Sequence, residues 1–255
     1  MKRLDVYLVE NGYFKTRHQA QIEIKHQRIK INNQVCVKPS TQIKDTDTIT
    51  VLKAYNPYVS LGGLKLEKAI NDFKLDFTNL MIVDVGSSTG GFTDCALKHG
   101  AKGVIAIDVG TQQMVEVLRK DKRVNLMEKT NFLTLDKPFS EPIDYTLMDV
   151  SFTSSLPLIQ HANALFNASL IVLIKPQFES LLTPKSGIIK DIKLHKKILS
   201  DYQTTLNKHQ LYIQKLTFSP LKGGSGNIEF LALINQTTNY IQTDNVVISA
   251  HDTLK

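Results

Sequence analysis

Three sets of residues in this sequence have types and spacings that could do chemistry together. The first is the turn "VDVGSSTGGFTD" at positions 83–94, where the apolar run "LMIV" gives way to glycines and small hydroxyls. Gly86 lets the chain turn sharply, and Gly90 and Gly91 allow backbone and helix to approach a ligand closely. In an open α/β sheet the first strand-to-helix turn is the favoured ligand site. The second is Asp108, which ends the next apolar run about twenty residues further on, where a carboxylate can accept both hydroxyls of an adenosine ribose. Tight glycine packing and a strand-end cap are the competing reading of these two features; the combination favours a nucleoside site. The spacing is not G-x-G-x-x-G and lacks Gly-Lys-Ser/Thr, which counts against pyrophosphate binding and a dinucleotide-dependent dehydrogenase. The third set is Lys175 and Asp149. Lys175 ends the apolar run "SLIVLI" and precedes Pro176, a place where an unpaired charge is costly, so it needs a partner or a function. Asp149 follows "YTLM" at a strand end beside the same crevice, where it could equally cap a turn.

Strands must deliver these groups to one edge. From residue 80 the runs "LMIVDVG", "GVIAIDVG", "VNLMEK", "DYTLMDVSF" and "SLIVLIKP" alternate with stretches fit for helices or loops, of which "LPLIQHANALF" is the clearest helix. Near-continuous apolar strands alternating with helices predict a parallel sheet covered on both faces. "LYIQKLTFSPL" and "EFLALINQ" are joined by the Gly-rich "KGGSGN" and predict an antiparallel hairpin at the sheet edge. The fold class is therefore α/β, a Rossmann-like sheet with an antiparallel edge hairpin.

The first 53 residues have another texture, with helical periodicity at Leu4 and Leu8 and at Ala20 and Ile24, then β-like "RIKINN" and "DTITV". They predict a small α+β domain. Its basic residues Lys15, Arg17, His18, Lys25, His26, Arg28 and Lys30 form either a nucleic-acid face or an ordinary solvated surface. "KAYNPYVS" punctuates the chain like a linker, placed at 54–60. The larger domain runs over 61–240, and 241–255 reads as a polar tail. The 255 residues carry 31 Lys+Arg against 24 Asp+Glu, a formal charge of +7 that favours polyanionic partners. Cys36 and Cys95, the only two cysteines, exclude a disulfide framework or a zinc cluster and suit a reducing, cytoplasmic setting. The start "MKRLDVYLVENGYF" is a poor signal peptide, and no run approaches the roughly 20 apolar residues of a membrane span.

The segments "YVSLGGLKLEKAI", "VDVGSSTGGFTDCAL", "AIDVGT", "LMDVSF", "IVLIKPQFE" and "KGGSGNIEFL" resemble the TlyA, or hemolysin A, family of ribosomal RNA 2′-O-methyltransferases. Their catalytic domain is of the FtsJ/RrmJ-like, class I type. "RLDVYLVENGYFKTRHQAQIEIKHQRIKINN" is similar to the RNA-binding module of ribosomal protein S-four. Nearly the whole chain is covered. The resemblance implies that S-adenosylmethionine is held by Gly86, Ser87, Ser88, Gly90, Gly91 and Phe92 with Asp84 in the same motif, that Asp108 binds its ribose, and that Asn131 lies near the adenine. It implies a catalytic tetrad at Lys65, Asp149, Lys175 and Glu229, with no metal, and RNA binding by Arg17, Lys25, Arg28 and Lys30. Residue context alone would leave Lys65 and Glu229 as ordinary charged positions. The short N-terminus resembles the family subtype associated with a cytidine of the large ribosomal subunit, with the ribosomal subunit as partner and no membrane. Two departures stand out: Gln27 where the module has glycine before its strand, and Leu61 where relatives carry arginine.

A tetrad of this kind suits methyl transfer to a ribose. The hydroxyl is a weak acid, so a base and a cationic surrounding for the developing alkoxide both help. Lysine can serve as either, and carboxylates can orient two amines. The rival readings are a non-catalytic RNA-binding or ribosome-assembly factor, against which an intact tetrad argues, and a membrane-active hemolysin, against which the absent membrane helix argues.

Overall fold

A computed structural model of the chain describes residues 2–14, 16–25, 27–44, 46–52, 56–136 and 139–254, with the side chains of residues 22 and 25 outside the description. The chain divides into two compact units, Met1–Pro57 and Tyr58–Lys255.

In the first unit, α1 (Leu4–Glu10) and α2 (Arg17–Lys25) follow the short β1 (Lys2–Arg3), and β2 (Ile29–Ile31), β3 (Gln34–Cys36), β4 (Gln42–Ile43) and β5 (Ile49–Val51) complete it. Leu4 and Leu8 meet Ala20, Ile24, Ile29 and Ile43 in one small core, the set that helical periodicity picks out plus one residue from each of two strands. Strand β2 is central, antiparallel to β3 and β5. Its turn to β3 is the pair Asn32-Asn33, both at positive φ (51° and 65°), as a two-residue hairpin loop requires. Gln27 also sits at positive φ, 62°. A non-glycine side chain there costs about 1–2 kcal/mol, partly offset by the extra freedom glycine would have when unfolded. Gln27→Gly is therefore expected to stabilise the first unit by roughly 0.5–1 kcal/mol, read as a higher denaturation midpoint of its transition in the full chain. A lower midpoint would mean that the glutamine side chain holds the turn.

The second unit contains α3 (Gly62–Phe73), β6 (Met81–Val85), α4 (Gly91–Lys98), β7 (Gly103–Ile107), α5 (Glu116–Arg119), β8 (Val124–Met127), β9 (Tyr145–Met148), α6 (Leu156–Phe166), β10 (Ser169–Ile174), α7 (Pro176–Glu179), α8 (Ile192–Lys208), β11 (Tyr212–Phe218), β12 (Phe230–Asn235) and α9 (Asp244–Thr253). The seven strands lie in the order β11-β12-β10-β9-β6-β7-β8. Strands β8, β7, β6, β9 and β10 are mutually parallel, and β12 runs antiparallel to both β10 and β11. The expected edge hairpin is thus present. Strand residues alternate between two cores: Val83, Val85, Leu170, Val172 and Ile174 face one, with residues of α6, α8 and α9, while Ile82, Ile171 and Leu173 face the other, with residues of α3 and α4. The sheet is covered on both faces. Sheet order reverses at β6, since β7 and β8 continue on one side and β9 and β10 on the other, which makes the crevice between β6 and β9 the ligand position of such folds.

Two expectations need revision. Residues 58–60 of the expected linker belong to the second unit, where Tyr58 is buried and its hydroxyl donates to Glu67 Oε1 at 2.7 Å; residues 54 and 55 lie outside the described residues. The expected polar tail instead holds α9, whose Val247 and Ala250 are fully buried in the core.

Candidate active site

The turn after β6 is built from below. Asp84 is fully buried and accepts from the Thr93 hydroxyl at 2.6 Å, which ties the strand to the first turn of α4. Burial pushes its carboxyl up to about 7 against the pull of the Thr93 bond. It therefore braces the turn and is not itself exposed to a ligand. Above it, Gly86 and Gly90 take φ of 81° and 95°, and a Cβ on Gly86 would lie 2.9 Å from the backbone oxygen of Asp149. Glycine is required there both by conformation and by the close passage of the β9 end. Asp108 joins two loops: Oδ2 accepts from Ser88 N and Oδ1 from Gly110 N, each at 2.7 Å. A carboxylate offers about four acceptor sites, so capacity remains for hydroxyls.

Asn131 is exposed; its side-chain oxygen accepts from Leu133 N at 3.1 Å, and the preceding Thr130 N donates to Asp108 O at 3.0 Å. Its segment therefore borders the Asp108 loop. The Phe92 side chain is buried, in the same core cluster as Tyr58 and Leu66, and its backbone lies at the start of α4 next to the turn. The buried hydroxyl of Ser87 has no partner among the described residues. A buried polar atom without a partner calls for one. Left-handed glycines, a carboxylate with spare acceptor sites and this unpartnered hydroxyl suit an adenosine-bearing cofactor.

The four tetrad positions meet as two ion pairs at the same edge of the sheet. Lys175 follows β10 and its Nζ lies 2.7 Å from Asp149 Oδ1, at the end of β9, while donating to Ser151 Oγ at 2.7 Å. The contact to Asp149 is close but off the line of a hydrogen bond, since that oxygen has none. Lys65 Nζ, one turn into α3, lies 2.6 Å from Glu229 Oε2. Antiparallel pairing of Ile174 with Phe230 continues one step to set Lys175 opposite Glu229. Directly opposite residues have Cβ atoms about 4.5–5.5 Å apart. Lys65 reaches this edge because α3 and α4 cross where side chains are absent: a Cβ on Gly91 would collide with Ser60 and approach Gly63 N at 3.0 Å.

Three contributors escaped the sequence reading. Ser151 holds Lys175, but a serine in a loop carries no signal of its own. Phe152, in the "DVSF" stretch, is 91% exposed with φ 65°, an outlier for an aromatic residue that directs attention to function. The third is Gly223 of "KGGSGN", whose added Cβ would collide with Glu229 Oε1, whereas one on Gly224 would meet nothing within 4 Å. Glu229 is buried and pairs with Lys65 through its other oxygen, so a forced shift of its carboxylate disturbs that pair. Gly223→Ala is expected to cut the activity of this site by roughly tenfold, about 1.4 kcal/mol, and Gly224→Ala to leave it unchanged. Equal rates for both variants in a single-turnover assay would release Glu229 from its role.

Residues 58–236 match the FtsJ-like methyltransferase family and residues 2–49 match the S4 domain. A candidate rRNA methyltransferase of Bacillus subtilis, YqxC, is 40% identical over 100% of this chain and 95% of its own. The 16S/23S rRNA (cytidine-2′-O)-methyltransferase TlyA of Mycobacterium tuberculosis is 33% identical over 98% of this chain and 96% of its own. Among solved structures, a candidate hemolysin of Streptococcus thermophilus superposes with a TM-score of 0.77 at 36% identity, covering 99% of this chain and 96% of that one. The chain belongs to the TlyA family of FtsJ-like methyltransferases. Its cofactor is S-adenosylmethionine.

In the S4 domain of this family member the expected RNA-binding residues divide. Arg17 is 56% exposed on its side chain and donates to buried Asp5 at 3.0 Å; Arg3 and Gln21 bind the same carboxylate. The Arg3 bond, foremost, holds the Asp5 carboxyl well below the usual range despite its burial. Lys30 lies on β2 and is half-buried. Arg28 differs from expectation: its side chain is 14% exposed and pairs with Glu23 at 3.2 Å, so it supports the fold of the domain. The Lys25 side chain, with residues 15 and 26 of the basic cluster, lies outside the described residues. No helix among the described residues is long and apolar enough to cross a membrane.

Proposed function

We propose that this protein methylates a ribose 2′-hydroxyl of ribosomal RNA, with a cytidine of the large subunit as its target. The observation that supports this most is the two lysines, Lys175 at the end of β10 and Lys65 in α3, each with its own carboxylate at the sheet edge that carries the cofactor turn. Bound S-adenosylmethionine supplies an electrophilic methyl group, and Gly86, Ser87, Ser88, Gly90, Gly91 and Asp108 are the residues to hold it. The work left to the protein is to hold the hydroxyl in line and to remove its proton. Lys175, once its ammonium has released a proton to water, takes the hydroxyl proton at the neutral Nζ. Its contacts with Asp149 and with exposed Ser151 give the amine a fixed direction and a route by which protons reach water. The Lys65–Glu229 pair fixes a second ammonium beside the oxygen as negative charge develops. Phe152 offers a bare aromatic face for an unstacked base, the usual way a protein receives a nucleotide drawn out of RNA. Arg17 and Lys30 of the first unit contribute RNA affinity and no chemistry.

The deciding experiment maps ribose methylation on ribosomes from cells with and without the gene, then adds purified protein and S-adenosylmethionine to the unmethylated subunits. One large-subunit cytidine is expected to lose its mark and regain it. Base methylation, or a mark confined to the small subunit, would replace this reading.

A further inference from the structure

The loops after β9 and β10 leave adjacent parallel strands whose ladder ends at the Met148–Val172 pair. One carries Asp149, Ser151 and Phe152, the other Lys175 and Phe178. Glu179 bridges them. Its Oε2 accepts from Ser154 Oγ at 2.6 Å, and its Oε1 accepts from Ser155 N at 2.9 Å and Ser155 Oγ at 2.7 Å. Hydrogen bonds to a carboxylate are about twice as strong as neutral ones. Ser155 Oγ also lies 2.6 Å from the hydroxyl of Tyr202 on α8, and both residues are buried. Since a carboxylate only accepts, the Ser155 proton goes to Glu179, and Tyr202 is the donor to Ser155. The chain Tyr202–Ser155–Glu179 thus anchors both loops to the body of the domain.

Above the anchor the same loops touch again, with the rings of Phe152 and Phe178 5.5 Å apart. Phe152 keeps its strained, exposed conformation three residues from Ser155. Strain of this kind persists only where the surroundings over-determine it, and the carboxylate clamp is the determinant at hand. We propose that Glu179 is a positioning residue that holds Ser151 and Phe152 in register with Lys175 and Phe178 before substrate arrives. The proposal rests on the methyltransferase reading for its effect on rate, and its structural half stands alone.

The chain contains no tryptophan, so Phe152→Trp places a single fluorescent reporter on the clamped loop. Adding Glu179→Ala to that reporter is expected to lower its anisotropy and raise its quenching by acrylamide. Adding Glu179→Gln instead leaves both near the parent values, because the amide oxygen still accepts from Ser155. Without the reporter, Glu179→Ala is expected to slow single-turnover methylation of ribosomal subunits roughly 100-fold at saturating cofactor, the scale of a misplacement of about 1 Å. Glu179→Gln keeps most of the rate, and S-adenosylhomocysteine affinity holds within about twofold in both. Unchanged anisotropy with a normal rate in Glu179→Ala overturns the proposal. So does a parallel fall in cofactor affinity, which would make Glu179 a general support of the fold. Should Glu179→Ala not fold, Ser154→Ala removes one of the three bonds and is expected to give a smaller loss on both readouts; no change in either overturns the clamp. Absence of methylation by the parent protein strikes the methyltransferase reading, and the reporter alone then decides the clamp.

Discussion

Lys175→Ala is expected to lower methyl transfer roughly 10²–10⁴-fold, the range assigned to a positioned general base, while S-adenosylhomocysteine binds as before. The separation follows from the architecture: the cofactor is held by the turn after β6 and by Asp108, whereas Lys175 leaves β10, two strands away across β9. Removing the amine leaves Asp149 without its cation, but that carboxylate is partly open to water, so folding survives. Lys175→Arg sharpens the test. A guanidinium keeps the charge and cannot give up its proton near neutral pH, so it preserves electrostatic stabilisation and abolishes base catalysis. Rates for the arginine variant close to the parent would assign Lys175 as a fixed positive charge; rates near those of the alanine variant support proton transfer. An active alanine variant would remove Lys175 from the mechanism.

Strands and site were legible to different degrees, for physical reasons. The central parallel strands β6, β7, β9 and β10 announce themselves, because a parallel strand buried on both faces must be apolar nearly throughout. The glycine turn, Asp108, Asp149 and Lys175 are legible for the converse reason: each is a polar or flexible residue at the end of such a run. Lys65 and Glu229 carry no such contrast. Lys65 sits among charged helix neighbours and Glu229 follows a Gly-rich loop, so only three-dimensional pairing reveals that the half-buried lysine is the partner of a buried carboxylate. Ser151, Ser155 and Glu179 are invisible in sequence because their partners come from different strands and loops. Helix α9 escaped because its buried face amounts to Val247 and Ala250 within a polar stretch, too few apolar residues to show a period. Helix α8 is the opposite case: His195, Ile198, Leu199, Tyr202 and Leu206 recur at helical spacing behind an Asp191 cap, a pattern the sequence itself carries. Arg28 shows the limit of charge counting, since a basic residue inside a basic cluster pairs inward with Glu23.

Gly86→Ala is expected to weaken both cofactor binding and catalysis, a joint failure that distinguishes it from Lys175→Ala. At φ 81° an alanine costs about 1–2 kcal/mol, offset by about 0.4–1 kcal/mol from the stiffer unfolded chain. Sterics decide the balance. The new methyl would sit 2.9 Å from Asp149 O, 3.1 Å from Val150 Cγ1 and 3.3 Å from Asp149 C. Two of those three atoms are backbone at the end of β9, and Asp149 N is itself bonded to Val85 O at 3.2 Å. The collision therefore cannot be relieved by a side-chain rotation; the turn or the strand end has to shift. If the turn moves, Ser88 N and Asp108 part and the cofactor loses its seat. If the strand end moves, Asp149 and Ser151 move with it and Lys175 loses its orientation. Overpacking of this kind costs about 1–3 kcal/mol, which corresponds to roughly 5- to 150-fold in affinity when it falls on the binding site. Titration calorimetry with S-adenosylhomocysteine and a single-turnover assay measure the two losses separately. Normal affinity with a slowed rate would assign the strain to β9 alone, and normal values in both would mean that the turn after β6 is not where the cofactor binds.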